Sequence, residues 1–378
     1  MRNPGQCENL YQKSLDVILK AQQPGGAYLA CPVMPDYQFS WFRDGAYISY
    51  ALTIDGQRGS VMWGKSRAAQ WESAGRFHEW CARIINRRSD RLERTIARAR
   101  QGLALVLDDT LNARYRPDGE EGPQGWPEFQ LDGPGIWLWS LHQYVLTAHL
   151  RPLPVAWERA VDLTARYLAA LWQTPCHDYW EERGGDVHIS TLASIFAGLN
   201  AAQALLPRLN LEATMEAIRD FVLRKGLTPA GEFSKAVGLD AVDGSLISVA
   251  TPCRLVPPDD PIMRRTIARI ERELSAPGGG IYRYREDTYY GGGPWILLAL
   301  WLAWYYVEVN ERARAEEILA WAADQADEAG NLPEQVNRSL LSPAHYAPWV
   351  AQRGPIANPL VWCHAKYLIV RRKMEDMR

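Results

Sequence analysis

One pattern recurs along the chain and limits what it can become: an amphipathic helical stretch, a polar loop rich in Gly, Pro and aromatics, then a more apolar helical stretch. The pattern occurs six times in 378 residues, and strand-like alternation is scarce. Asn9 to Gln22 opens it and ends in Gln-Pro-Gly-Gly. A Pro- and aromatic-rich loop leads to the helix that begins at Arg43-Asp44. Later inner segments, Gly133 to His149 and Pro294 to Val309, are apolar almost all round, as buried helices are. An apolar stretch from Ser245 takes the inner place of the fourth unit, and the segment from Gly330 to Asn358 reads as loop before a closing helix, Pro359 to Arg371. Asp44, Asp132, Glu181, Asp243, Asp287 and Glu334 each precede or open an inner segment. They recur about once per unit after a first gap of double length. Outer amphipathic helices around an inner apolar ring predict an all-α toroid, an (α/α)6 barrel. The loops before its inner helices would meet at one end in a single pocket. No composition shift marks a linker, so one domain over residues 1–378 is expected.

Composition narrows the function. The chain carries 16 Trp and 17 Tyr against 7 Phe, an excess of flat amphipathic rings suited to stacking on sugars as well as to packing. A net charge of −2 argues against a nucleic-acid partner, which would demand a basic stripe. The six cysteines (Cys7, Cys31, Cys81, Cys176, Cys253, Cys363) share no CxxC spacing, so neither a zinc site nor a disulfide framework is expected. His188 and His364 read as packed histidines, no second ligand lying at helical spacing, and no metal or cofactor is expected. Met1 to Gln6 has no apolar core of leader length, and the run from Trp295 to Val307 is too short to span a bilayer. A cytoplasmic protein with reduced thiols, without a membrane partner and monomeric, is the expectation.

The chemical centre is the stretch Asp178-Tyr179-Trp180-Glu181-Glu182-Arg183-Gly184-Gly185, which runs through His188 into a helix with a Ser190-Thr191 start. A carboxyl on a loop beside an indole suits a general acid, since a dry wall raises a carboxyl pKa. The plainer alternative is a capping carboxylate pair on a surface loop.

Five stretches in order resemble glycoside hydrolase family 15, the glucoamylase family. They are Pro35 to Asp44, with the Trp41-Phe42-Arg43-Asp44 core; Trp126 to Pro134; Trp180-Glu181-Glu182; Arg283 to Trp295, the longest; and Leu332 to Val336, with Pro359 to Ala365 closing the chain. A weaker match is Leu239 to Leu246. The resemblance implies an (α/α)6 barrel and an inverting hydrolase that releases β-glucose from non-reducing ends. It assigns Glu181 as general acid and Glu334 as general base. Tyr37, Trp41, Arg43, Asp44, Trp126, Glu128, Glu182, Arg283 and Asp287 are expected around the sugar. Glu182, Asp243 and Asp287 can equally orient neighbours, while Trp137, Trp139 and Trp301 are expected in the core.

Inversion needs carboxyls roughly 6.5–9.5 Å apart, one protonated and one ionised. Glu181 is expected against Trp180 or a neighbouring aromatic, partly desolvated, and Glu334 hydrogen-bonded and ionised. Departures from the family pattern are Glu128 for arginine, Arg285 for proline and Asn337 for aspartate; the first lies near the aglycone side and leaves linkage and acceptor open, while the glucose site is expected intact. The chain has no room for the family's N-terminal β-sandwich or a starch-binding module. It most resembles the short isomaltose-hydrolysing members, acting on small α-1,6-linked oligosaccharides. An α-1,4 glucoamylase, a glucodextranase or a trehalase are alternatives within the family. A non-catalytic carbohydrate-sensing module is the alternative from another class.

Overall fold

The computed structural model describes residues 4–57 and 67–377. Met1 to Asn3, part of the stretch read for a leader, lie outside the described residues, as does the side chain of Cys7. The first unit pairs α1 (Pro4–Ala21) with α2 (Phe42–Gln57). The second has two outer helices, α3 (Arg67–Arg87) and α4 (Ser89–Arg100), before the inner α5 (Asp132–Thr147). Next come α6 (Val155–Leu171) with α7 (Ile189–Leu205), and α8 (Glu212–Lys225) with a 3₁₀ segment at Gly244–Val249. The last two units are α9 (Pro261–Leu274) with α10 (Ile296–Glu308), and α11 (Arg312–Asp324) with α13 (Val361–Asp376). A short helix, α12 (Tyr346–Arg353), sits on the loop before α13. β1 (Ser40–Trp41) and β2 (Arg114–Tyr115) make a two-stranded antiparallel ribbon with Ser40 opposite Tyr115.

The inner elements close a ring. Contacts run α2 to α5 to α7 to the 3₁₀ segment to α10 to α13 and back to α2. Every residue of α10 from Ile296 to Val307 is buried. The outer α9 buries only Met263, Thr266, Ile267, Ile270 and Leu274, one stripe at helical spacing. Asp260 starts α9 by accepting from Ile262 N at 2.8 Å. The toroid expected from periodicity is thus the observed architecture, and Trp137, Trp139 and Trp301 lie in its core.

Two features tighten the ring. The outer helices α1, α8 and α9 each end in the same device, an antiparallel bridge across a Pro/Gly turn: Gln22 to Tyr28, Leu227 to Phe233 and Ser275 to Ile281. This is the repeat visible in backbone form, and each bridge turns the chain from the outer layer inward. Between α5 and α7, Gly135 and Gly198 let the backbones meet. A Cβ on Gly135 would stand 2.4 Å from Ser194 O, and one on Gly198 2.7 Å from Gly135 Cα.

The fourth unit departs from expectation. Its inner element is the six-residue 3₁₀ segment Gly244–Val249 rather than a long helix. Pro252, with Pro257 and Pro258 after it, withholds backbone donors and disfavours helical geometry just upstream, so the segment cannot lengthen. The region from Gly330 to Asn358 is not all loop either, because it carries α12.

Candidate active site

All six acidic landmarks sit at the end of the ring where the inner elements begin. Asp44 lies in the first turn of α2, Asp132 opens α5 and Asp243 caps the 3₁₀ segment. Helix N-termini carry partial positive charge, so this end favours carboxylates. A cavity of about 350 Å³ opens here, lined by Tyr37, Trp41, Arg43, Asp44, Trp126, Trp180, Glu181, Glu182, Arg283, Tyr289, Trp295, Glu334, Trp349, Arg353 and Trp362, among others.

Glu181 is presented by a tight loop folded on Asp178. Asp178 Oδ1 accepts from the backbone N–H of Trp180 and of Glu182, both at 2.9 Å. Glu181 itself takes φ of +69°, a left-handed conformation that a residue with a Cβ adopts only under constraint. Its Oε1 accepts from Trp41 Nε1 at 2.6 Å and from Gln130 Nε2 at 3.3 Å. Trp180 holds the loop rather than the carboxyl, for its Nε1 donates to both oxygens of Asp243 at 2.9 and 3.0 Å.

Glu334 comes from the loop before α13 and is buried. Its Oε1 accepts from the Tyr37 hydroxyl at 3.0 Å, which also pairs with the Tyr289 hydroxyl at 2.9 Å. Glu334 Oε2 is buried with no partner. Burial pushes its carboxyl up to about 8, against the opposing pull of the Tyr37 hydrogen bond.

The floor is charged. Arg43 Nη1 donates to Gln130 Oε1 at 2.9 Å and to Asp132 Oδ2 at 3.1 Å, while its Nε lies 3.5 Å from Asp44 Oδ2. Asp44 Oδ2 has no hydrogen-bond partner, and burial lifts this carboxyl to about 7 despite Arg43. Asp287 grips Arg283 at both ends, Nε to Oδ2 at 2.7 Å and Nη2 to Oδ1 at 2.6 Å. Arg283 also lies 3.3 Å from Glu182 Oε1, whose other oxygen accepts from the Tyr284 hydroxyl at 2.6 Å. Fixed, desolvated donors and acceptors of both signs on one floor suit a ring of hydroxyl groups. Among the described residues no group of three or more His, Cys, Asp or Glu is arranged to hold a metal ion.

The family model described as Glycosyl hydrolases family 15 matches residues 5–347. The isomaltose glucohydrolase of Kribbella flavida is 38% identical over 369 residues, covering 96% of this chain and 91% of its own. This chain belongs to glycosyl hydrolase family 15. A solved glycosidase variant in complex with glucose is similar at a TM-score of 0.89 and 36% identity, covering 98% of this chain and 97% of that one. The glucoamylase of Saccharomycopsis fibuligera is similar in fold, with a TM-score of 0.72 at 16% identity over 98% of this chain and 95% of that one.

Within this family 15 glycoside hydrolase the expected residues divide. Glu181, Glu334, Tyr37, Trp41, Arg43, Asp44, Trp126, Glu182 and Arg283 all line the cavity. Glu128 and Asp287 do not. Glu128 turns to Arg114, accepting from its backbone N at 3.3 Å and from its Nε at 3.4 Å. Asp287 lies buried behind Arg283. The aromatic that meets the Glu181 carboxyl is Trp41, one of the neighbouring rings the expectation included, rather than Trp180 itself. One electrostatic expectation is corrected. Glu334 is not held ionised by its surroundings, because burial outweighs its one strong donor.

Sequence reasoning missed Gln130, Tyr289, Trp349 and Arg353 as site residues. Gln130 and Tyr289 lay inside the quoted motifs. Trp349 and Arg353 sit on α12, whose Tyr346, Trp349, Val350 and Arg353 follow helical spacing within a stretch read as loop. His364 packs as expected, its Nδ1 on Ser14 Oγ at 2.9 Å and its Nε2 accepting from Leu332 N at 3.0 Å. The five described cysteines are free and buried.

Proposed function

We propose that this hydrolase removes one glucosyl unit from the non-reducing end of small α-gluco-oligosaccharides, with isomaltose-type α-1,6 linkages preferred, and inverts the anomeric centre. The observation that carries the reading is the pair Glu181 and Glu334. They come from two different loops into one cavity, one bonded by Trp41 and Gln130 and the other by Tyr37. The likeness to the Kribbella isomaltose glucohydrolase supports the linkage.

In the reaction the Glu181 carboxyl gives its proton to the glycosidic oxygen as the C1–O bond breaks. Glu334 takes a proton from a water whose oxygen attacks C1 from the opposite face. Arg43, Asp44 and Arg283 fix the hydroxyls of the glucosyl ring, so that binding energy goes into orientation. Glu334 must be ionised before it can take the water's proton, so the reaction draws on the anionic form of this buried carboxyl, which the Tyr37 hydroxyl stabilises. The products are β-glucose and the shortened alcohol.

No helix among the described residues is long and apolar enough to cross a membrane. We take a monomer in the cytoplasm as the working form; the free, buried cysteines among the described residues favour that compartment. Incubation with isomaltose, maltose, dextran and trehalose, with glucose measured, tests the substrate class. Isomaltose should be fastest, and no glucose from any of the four would contradict the reading.

A further inference from the structure

The cavity is graded from a buried floor to a half-buried rim. Arg43, Asp44, Arg283 and Glu334 on the floor are each under a tenth exposed. Trp126, Trp349 and Arg353 at the rim are only partly buried. A cavity closed below accepts a chain end, so the sugar beyond the scissile bond must lie at the rim. The acid stands on this side as well, since Trp41, which bonds Glu181, meets Trp126 edge-on at 6.1 Å.

Arg353 is the last residue of α12 and spans the rim. Its guanidinium carbon lies 5.3 Å from the Trp126 ring centre and 5.6 Å from that of Trp349. Its Nη1 donates to Asp36 Oδ2 at 2.8 Å, while its Nε–H is buried without a partner. Asp36 is fixed in turn, its carbonyl accepting from Arg114 Nη1 at 2.8 Å. A planar guanidinium held between two indoles is pre-ordered, so its free donor meets a hydroxyl without further loss of rotamer freedom. Trp349 also packs at 5.0 Å on Tyr289, which joins the rim to the Tyr37–Glu334 side.

We propose that Arg353 sets the leaving group: it donates to a hydroxyl of a single sugar ring between Trp126 and Trp349, and its bridge to Asp36 closes the space a further ring would need. The enzyme is then a disaccharidase by construction. This rests on the exo-acting reading above and adds the size of the aglycone to it. The cavity of about 350 Å³ agrees, standing at the low end of ligand cavities, roughly 300–1,000 Å³.

The test compares wild type with Arg353→Ala, Arg353→Lys and Asp36→Asn on isomaltose, isomaltotriose, maltose, maltotriose and α-glucosyl fluoride, whose leaving group has no ring. For the linkage that wild type cleaves faster, Arg353→Ala should raise the trisaccharide-to-disaccharide ratio of kcat/KM about tenfold. Its loss on the disaccharide should exceed its loss on the fluoride by about tenfold, as expected for one charged hydrogen bond. Arg353→Lys should fall between, and Asp36→Asn should raise the ratio with a smaller loss on the disaccharide. An unchanged ratio, or equal losses on disaccharide and fluoride, would overturn the proposal. Wild type releasing no glucose from either disaccharide would overturn the functional reading itself, before any variant is compared.

Discussion

Lys235 Nζ lies 3.0 Å from Asp243 Oδ2 and 3.5 Å from Asp178 Oδ2, both carboxylates buried. The ammonium also sits 3.7 Å from the centre of the Tyr284 ring. These two aspartates are the groups that hold the Glu181 loop, one through its backbone N–H groups and the other through the Trp180 indole. One cation therefore neutralises both anchors of a loop whose key residue sits at positive φ.

Removing that cation should cost both stability and rate. Lys235→Met leaves two buried carboxylates uncompensated, a change worth about 3–5 kcal/mol when a buried pair is broken. Urea denaturation should show the loss. Steady-state kinetics on the folded fraction should show kcat lowered more than KM is raised, because the Glu181 geometry loosens while the floor stays intact.

Glu334 ties stability and activity to pH in opposite directions. Its folded-state value of about 8 exceeds the ordinary carboxyl value of about 4.3. The folded protein therefore holds this proton more tightly than the unfolded chain does. That contribution to stability is fully present below about 4.3 and is lost as pH rises through about 8. Asp44 and Glu128, each lifted to about 7 by burial, act in the same direction. Glu334→Gln carries no such charge, so its Tm advantage over wild type should be small at pH 4 and grow toward pH 8, read by calorimetry. The same substitution should lower kcat by orders of magnitude. In wild type the acid limb of kcat/KM should lie above the ordinary carboxyl range, and Tyr37→Phe, which removes a donor that stabilises the anion, should move it higher.

Trp41→Phe keeps an aromatic ring but deletes the N–H that meets Glu181 Oε1 at 2.6 Å. Loss of a hydrogen bond to the carboxylate that Glu181 becomes as it gives up its proton, about 1.5–3 kcal/mol, predicts kcat lower by roughly tenfold or more. Thermal denaturation should change little, because the ring still packs against Tyr37 and Trp126.

The close approach of α5 and α7 is a stability prediction independent of chemistry. Gly198→Ala puts a methyl group 2.7 Å from the α5 backbone at Gly135, which must separate two of the six inner elements. A cost of about 1–3 kcal/mol is expected from overpacking, and denaturation midpoints should show it.

Much of this was legible from local chemistry. The ring was readable because apolar segments like Pro294 to Val309 alternate with striped ones like α9, and the six acids mark where the pocket forms. What escaped depends on contacts far apart in sequence. Nothing local says that Trp180 spends its N–H on Asp243, freeing Trp41 to meet Glu181 across 140 positions. Glu128 was misplaced because its partner Arg114 is reached through the bend after β2. Asp287 stands four residues from Arg283, a spacing at which a plain ion pair competes with sugar binding, and the ion pair is what forms. The charge state of Glu334 follows from the depth of its burial, and depth is a property of the closed ring.

Glu181 and Glu334 acting as an acid–base pair require inversion at C1. Following isomaltose hydrolysis by ¹H NMR from the first minutes, before mutarotation mixes the anomers, tests it most directly. β-Glucose should appear first, and Glu181→Gln and Glu334→Gln should each abolish its appearance; α-glucose appearing first would mean retention and rule the pair out in these roles.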